Sequence, residues 1–221
     1  MRDPRVPFAS ISMATLGLDT ATGTCAVAVR HPDGRVAELA LDGPRHAQSA
    51  LRAVHGVLDL AGLAPRDLTR IVVGVGPGSF TGLRVGIASA LGLGRAVGAP
   101  VVGRSSLDAL AAGAAPLRAD VTAMIDARRG ELFVRRPDGA RECARPGELR
   151  GPGVAIGDGA VRYRDLLVDA GWAVPEGPVH VVRAVALVVL DEADPDASGP
   201  PAPEYLRAPD AVPRPSPAAA P

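Results

Sequence analysis

The chain has no lysine: all 24 basic residues among its 221 are arginine, and 24 acidic residues balance them to a formal net charge of zero. A Walker-type phosphate loop needs Lys followed by Ser or Thr, so that class of nucleotide enzyme is excluded. The even charge balance argues against wholesale binding to nucleic acid or a membrane surface. Short clusters such as Arg128-Arg129 and Arg135-Arg136 read as solvated surface. Cysteine is nearly absent, and Cys25 and Cys143 form no C-x-x-C pair, which predicts a reduced, cytoplasmic protein. Residues Met1 to Ser12 carry Arg2, Asp3, Arg5 and two prolines where a secretory signal would need an apolar core, and they read as a flexible extension. No apolar run reaches the length of a membrane span. His46 and His55 lie nine residues apart, not three or four, and His31 and His180 are isolated. Neither cysteine has a nearby His, and no G-x-S-x-G elbow surrounds Ser79, so the sequence displays no metal pair or nucleophile apparatus.

What the chain does have is glycine at pointed positions. Gly76-Pro77-Gly78-Ser79-Phe80-Thr81-Gly82-Leu83-Arg84-Val85-Gly86 follows the β-branched run Ile71-Val72-Val73-Gly74-Val75 and opens a helix over about 82–97. A glycine-rich strand-to-helix turn can aim backbone N–H groups and the positive helix end at an anion. The alternative is a tight turn whose glycines let helix and strand approach closely.

The order around that segment is strand, strand, strand, helix, strand, helix. Thr15–Asp19 and Cys25–Val29 precede a Pro32-Asp33-Gly34 turn and a third strand, Val36 to Leu41. A helix over about 47–61 comes next, then the strand at 71–75, then Val101-Val102 and a short helix from Ser105 to Ala112. This is the arrangement of a ribonuclease-H-like lobe. The pattern from Leu18-Asp19 to Pro32-Asp33-Gly34 recurs from Ile125-Asp126 to Pro137-Asp138-Gly139, which predicts a degenerate duplication and two related lobes. Residues 140–200 are weakly patterned: a strand and turn at 154–159, one helix at 161–170 and a mixed apolar run at 179–190. The last dozen residues, rich in Pro and Ala, are expected to be disordered.

Asp19 and Asp126 end equivalent strands, and two carboxylates facing each other across a cleft suit Mg²⁺ and nucleotide phosphates. Each could instead close its own turn by accepting local N–H groups. On the second helix, Gly82, Gly86, Ala90, Gly94 and Gly98 recur every four residues. Interior glycines cost about 0.8 to 1 kcal/mol each relative to Ala, so Gly86, Gly92 and Gly94 together forfeit about 2 to 3 kcal/mol, to be offset by close backbone approach. The first helix carries Ala50, Val54, Val57, Leu58 and Ala61, with Leu51 and Leu60 besides, more apolar surface than one stripe requires. A partner helix pair docking there is one reading, and close packing on the chain's own sheet is the other.

Leu16-Gly17-Leu18-Asp19-Thr20, His46, the Gly76 to Gly86 segment, Ser105-Ser106-Leu107, Ile125 to Glu131 and Pro203-Glu204-Tyr205-Leu206-Arg207 together resemble the TsaB (YeaZ) family. That family is the bacterial non-catalytic subunit of the machinery that makes N6-threonylcarbamoyladenosine on tRNA. The resemblance implies an α/β actin/Hsp70/sugar-kinase-like fold of two ribonuclease-H-like lobes with mixed sheets, over 14–115 and 116–207, between flexible ends at 1–13 and 208–221. It implies a subunit without catalysis of its own, pairing with the catalytic paralogue TsaD, joined by the ATPase TsaE, and forming a homodimer in isolation. tRNA would be met through the complex rather than directly, in the cytoplasm and away from membranes. The implied interface is the helix pair, here Leu51, Val54, Val57, Leu58, Gly86, Ala90 and Leu93. Asp19, Thr20, Ser79, Thr81 and Asp126 are the candidate vestigial nucleotide or anion site, with no catalytic or metal residue assigned. ATP or ADP with Mg²⁺ at the subunit junction is the open cofactor question. The competing readings are a nucleotide-dependent phosphotransferase or hydrolase of the same fold and, more weakly, a glycoprotease-like peptidase.

Overall fold

A computed structural model describes residues 13–43, 46–117 and 119–207, with side chains 46–49 outside the described set. The expectations for the two chain ends, residues 1–12 and 208–221, and for the His46 side chain lie outside the described residues.

The first sheet contains β1 (Ala14–Asp19), β2 (Thr24–Arg30), β3 (Val36–Asp42), β4 (Leu68–Gly74) and β5 (Val101–Arg104), in the order β3-β2-β1-β4-β5. β1, β2 and β3 pair antiparallel, while β4 lies parallel to β1 and β5 parallel to β4. The β2–β3 hairpin turns at Gly34, which adopts φ +89° and donates its N–H to the His31 carbonyl at 2.9 Å. α1 (His46–Ala61) and α2 (Phe80–Val97) cover one face of this sheet. α2 starts where the Ser79 hydroxyl accepts the Gly82 N–H and ends at Gly98, whose φ of +77° is the left-handed cap a glycine adopts cheaply.

The second sheet repeats the plan with β6 (Val121–Arg128), β7 (Glu131–Arg135), β8 (Arg141–Ala144), β9 (Gly153–Ile156) and β10 (Trp172–Ala173), in the order β10-β9-β6-β7-β8. β6 pairs antiparallel with β7 and parallel with β9, as β1 does with β2 and β4. The repetition reaches the turn chemistry. Asp19 accepts the N–H of Ala21 at 2.9 Å, and Asp126 accepts that of Arg128 at 2.9 Å. Together the sheets form the two-lobed α/β architecture with mixed ribonuclease-H-like sheets.

Two helices exchange between the lobes. α3 (Ser106–Gly113) follows the first sheet but packs on β6, whereas α6 (Ala184–Ala193) follows the second sheet and packs on β1, β2 and β4. The core between the sheets therefore draws on Val72, Leu107, Leu110, Ile125, Ile156 and Leu187 together. α6 replaces the mixed apolar run expected at 179–190; wedged between layers, it has no broad polar face and so shows little helical period in sequence. The single helix expected at 161–170 is two, α4 (Asp158–Arg162) and α5 (Arg164–Asp169), divided at Tyr163, where φ is −111° and ψ 27°.

Glycine and arginine fasten α6 in place. A Cβ on Gly17 would lie 2.3 Å from the Ala184 carbonyl oxygen, so β1 and α6 meet backbone to backbone. Arg70 of β4 grips Asp191 of α6 through two hydrogen bonds, 2.6 and 2.8 Å, and the Ser198 hydroxyl donates a third at 2.5 Å. Arg104 donates to the Leu190 carbonyl at 2.6 Å and to that of Asp194, closing the helix end. Asp191 is only 2% exposed, so Asp191→Ala strands the Arg70 charge. With Arg70 partly open to water, the expected loss is about 2–3 kcal/mol, read from urea denaturation.

Candidate functional site

The Gly76 to Gly82 turn packs Gly78 and Gly82 against the loop after β1. A Cβ on Gly78 would sit 2.3 Å from the Ala21 carbonyl oxygen, and one on Gly82 would sit 2.1 Å from that of Thr20. Two of the turn's donors are engaged: the Ser79 N–H donates to the Ala21 carbonyl at 2.7 Å, and the Gly82 N–H to the Ser79 hydroxyl at 3.3 Å. Thr20 is buried and donates its hydroxyl to the Gly82 carbonyl at 2.8 Å.

Asp19 lies beneath this turn, fully buried. One carboxylate oxygen takes the Ala21 N–H, and the other takes the Ser106 hydroxyl at 2.5 Å. A Cβ on Gly74 would fall 1.9 Å from that second oxygen, so only glycine leaves room for the carboxylate. Burial raises the Asp19 pKa above the ordinary 3.8, against the opposing pull of the Ser106 and Ala21 hydrogen bonds. The folded state thus holds a proton more readily than the unfolded one. As pH falls from the raised value towards 3.8, wild type should gain stability relative to Asp19→Asn, and urea midpoints across that range measure the gain. Asp191→Asn should behave oppositely. Burial raises the Asp191 pKa, but hydrogen bonds from Arg70 and Ser198 outweigh it and hold it below 3.8, so wild type loses its advantage as pH falls through the lowered value. Cys25, pushed to about 11 by burial and then by the nearby Asp19 charge, stays a thiol at neutral pH.

Asp126, also buried, lines a cleft that Asp19 does not reach. Arg128 and Arg162 approach its carboxylate at 3.3 and 3.5 Å, and its own N–H donates to Asp158 at 3.1 Å. The cleft, about 690 Å³, is lined by Ser79, Phe80, Thr81 and Arg84 of the first lobe, by Asp126 to Arg129 and Phe133 of the second, and by Glu204 to Arg207. It brings together Ser79, Thr81 and Asp126 from the candidate anion site but not Asp19 or Thr20. With Asp19 and Thr20 fully buried outside the cleft and Asp126 ion-paired to two arginines, the five residues do not converge on a shared Mg²⁺–nucleotide complex.

The helix pair requires a correction. Val54, Val57 and Leu58 are 5%, 0% and 2% exposed, Ala90 is 1% exposed, and all four pack into the first lobe's core. Gly86 is buried too, its absent Cβ leaving room for the Thr20 hydroxyl, and Gly94 makes room for Val101. The glycine ridge thus faces its own sheet, because spacing identifies a stripe without saying which way it points. Leu93 is half-buried against that core. Of the seven interface candidates, Leu51 alone is exposed, at 57%. The outward side of α2 instead carries Ala88, Leu91, Gly92 and Ala96, all exposed, and a Cβ on Gly92 would meet nothing within 4 Å.

Sequence reasoning passed over Phe80, Arg84 and Tyr205 as cleft residues, although all three lie inside quoted motifs. Their signal was the aromatic and basic residues retained on a turn and on the chain's return to it. That return is fixed by the Glu204 N–H donating to the Val75 carbonyl at 2.7 Å.

A family model described as TsaD: tRNA N6-adenosine threonylcarbamoyltransferase matches residues 34–144. The tRNA threonylcarbamoyladenosine biosynthesis protein TsaB of Escherichia coli (strain K12) is 34% identical over 194 residues, covering 78% of this chain and 83% of that relative. The protein of the same name from Bacillus subtilis (strain 168) is 36% identical over 122 residues, 55% of this chain, and the match spans about half, 53%, of the relative's length. The solved structure of YeaZ from Pseudomonas aeruginosa superposes with a TM-score of 0.71 at 29% identity, covering 88% of this chain and all of the other. With two lobes of one topology, the glycine turn seated on the β1 loop and these relatives along most of its length, the chain belongs to the TsaB/YeaZ family.

Proposed function

We propose that this protein serves the biosynthesis of threonylcarbamoyladenosine in tRNA as a scaffold and activator, pairing with a catalytic TsaD-type paralogue without carrying out the transfer itself. The names of its relatives and the matching family model support the pathway. One observation supports the pairing mode. Gly92 forgoes about 1 kcal/mol of helix stability with no neighbour of its own to accommodate, unlike Gly82, Gly86 and Gly94. A second helix approaching closely over Ala88, Gly92 and Ala96, beside the exposed Leu91, accounts for that cost. The same face serves a homodimer when the paralogue is absent.

The fully buried Asp19 supports the reading of a subunit that serves chemistry performed elsewhere, and we place that work in the cytoplasm, where tRNA is. Among the described residues, no helix is long and apolar enough to cross a membrane. Co-purification with the TsaD-type subunit tests the reading: the wild-type chain pairs, and variants that place bulk on the outer face of α2 do not. Pairing that survives such bulk contradicts the proposed face.

A further inference from the structure

The interlobe cleft concentrates what the rest of the chain lacks. Of three Phe, two Tyr and one Trp in the whole sequence, Phe80, Phe133 and Tyr205 line this one cavity. Phe80 and Tyr205 are 56% and 50% exposed and stack with ring centroids 6.1 Å apart and an interplanar angle of 29°. The Arg84 guanidinium lies 3.8 Å from the Phe80 centroid. On a chain of zero net charge, the lining carries four arginines against Asp126 and Glu204; Arg128 leans on Asp126 with its side chain about two-thirds exposed, and Arg207 is held by Glu131.

The opposite wall is held in an unfavourable backbone shape. Arg128 and Arg129 adopt φ of 64° and 55°, the left-handed region where Gly or Asn would be less costly, and both line the cleft. Strain of this kind collects where a side chain must be aimed.

From these juxtaposed features we infer that the cleft binds an unpaired RNA segment, with a base stacked on the Phe80–Tyr205 pair and the backbone phosphates drawn to Arg84, Arg128 and Arg129. Aromatic rings and arginine planes recognise unstacked bases, and arginines spread along a groove follow a phosphate backbone. A free nucleoside di- or triphosphate would draw on a compact cradle of backbone N–H groups, two of which, those of Ser79 and Gly82, are already committed, and AMP as competitor separates the two ligands. This inference rests on the tRNA-modifying role proposed above and sharpens it: the substrate RNA touches this subunit directly, where the sequence led us to expect contact only through the complex.

Fluorescence anisotropy with the full chain alone tests it, using a labelled single-stranded RNA hexamer, a duplex of equal length and AMP as competitor. The hexamer should bind more tightly than either the duplex or AMP. The double variant Phe80→Leu/Tyr205→Leu, altering two exposed rings, should weaken hexamer binding about tenfold or more while retaining the wild-type circular dichroism spectrum. Arg128→Ala should make the slope of log K against log salt shallower by about 0.7, the share of one phosphate contact on a single strand. Absence of hexamer binding, AMP competing as well as RNA, a duplex bound equally, or ring variants binding like wild type each overturns the inference. No partner subunit is present, so failure here leaves pairing through α2 untouched, and failure of pairing leaves this measurement interpretable.

Discussion

Gly17→Ala should cost the chain about 4 kcal/mol or more, the range reached only when a substitution collides with something unable to move. Gly17 lies mid-strand in β1, paired with Ala28 on one side and Val72 on the other, so the strand cannot retreat without breaking two ladders. The added methyl would meet the Ala184 carbonyl oxygen at 2.3 Å and its carbon at 3.0 Å, both backbone atoms at the start of α6. α6 in turn is fixed by Arg70 and Arg104, so relief requires displacing the helix that joins the lobes. Urea denaturation should show the loss as a large fall in midpoint, or as failure to recover folded protein.

Gly92→Arg should instead leave the isolated chain folded and weaken pairing with the TsaD-type subunit by about a hundredfold or more, equivalent to about 2.7 kcal/mol. Position 92 is exposed, and a Cβ there meets nothing within 4 Å, so the monomer accommodates the arginine. A close-packed helix interface does not, because a long charged side chain separates the backbones and loses water on docking. Gly92→Ala separates helix propensity from interface fit: it should stabilise the isolated chain by up to about 1 kcal/mol. The same change at Gly86, where the Cβ would lie 2.2 Å from the Thr20 hydroxyl oxygen, should destabilise it.

Those two glycines mark where sequence reasoning reaches its limit. Spacing revealed a helix with too many small residues, but it could not tell the inward stripe through Gly86 and Gly94 from the outward one through Ala88 and Gly92. That distinction depends on the loop after β1, which brings Thr20 under the helix. The β-branched strands, the Asp-ended turns and the lobe duplication were legible because alternation, turn residues and recurrence are local signals. β8 and β10 were missed because they are only four and two residues long, too short to display an alternating apolar pattern. α6 was obscured because a helix buried between sheets has little polar face to set a period. Asp19 and Asp126 carried the same signature in sequence and the same turn bond in the fold. Only packing made the first a buried structural carboxylate and the second part of a cleft wall.

In the proposed role, this chain supports tRNA modification by pairing through the outer face of α2. The most direct measurement is threonylcarbamoyladenosine content in tRNA after reconstitution with the TsaD-type subunit and its other required components, comparing wild type, Gly92→Arg and no addition. Modification is expected with wild type, and its loss both with the folded Gly92→Arg chain and without the chain. Full modification in either of the latter two reactions would contradict the proposed role.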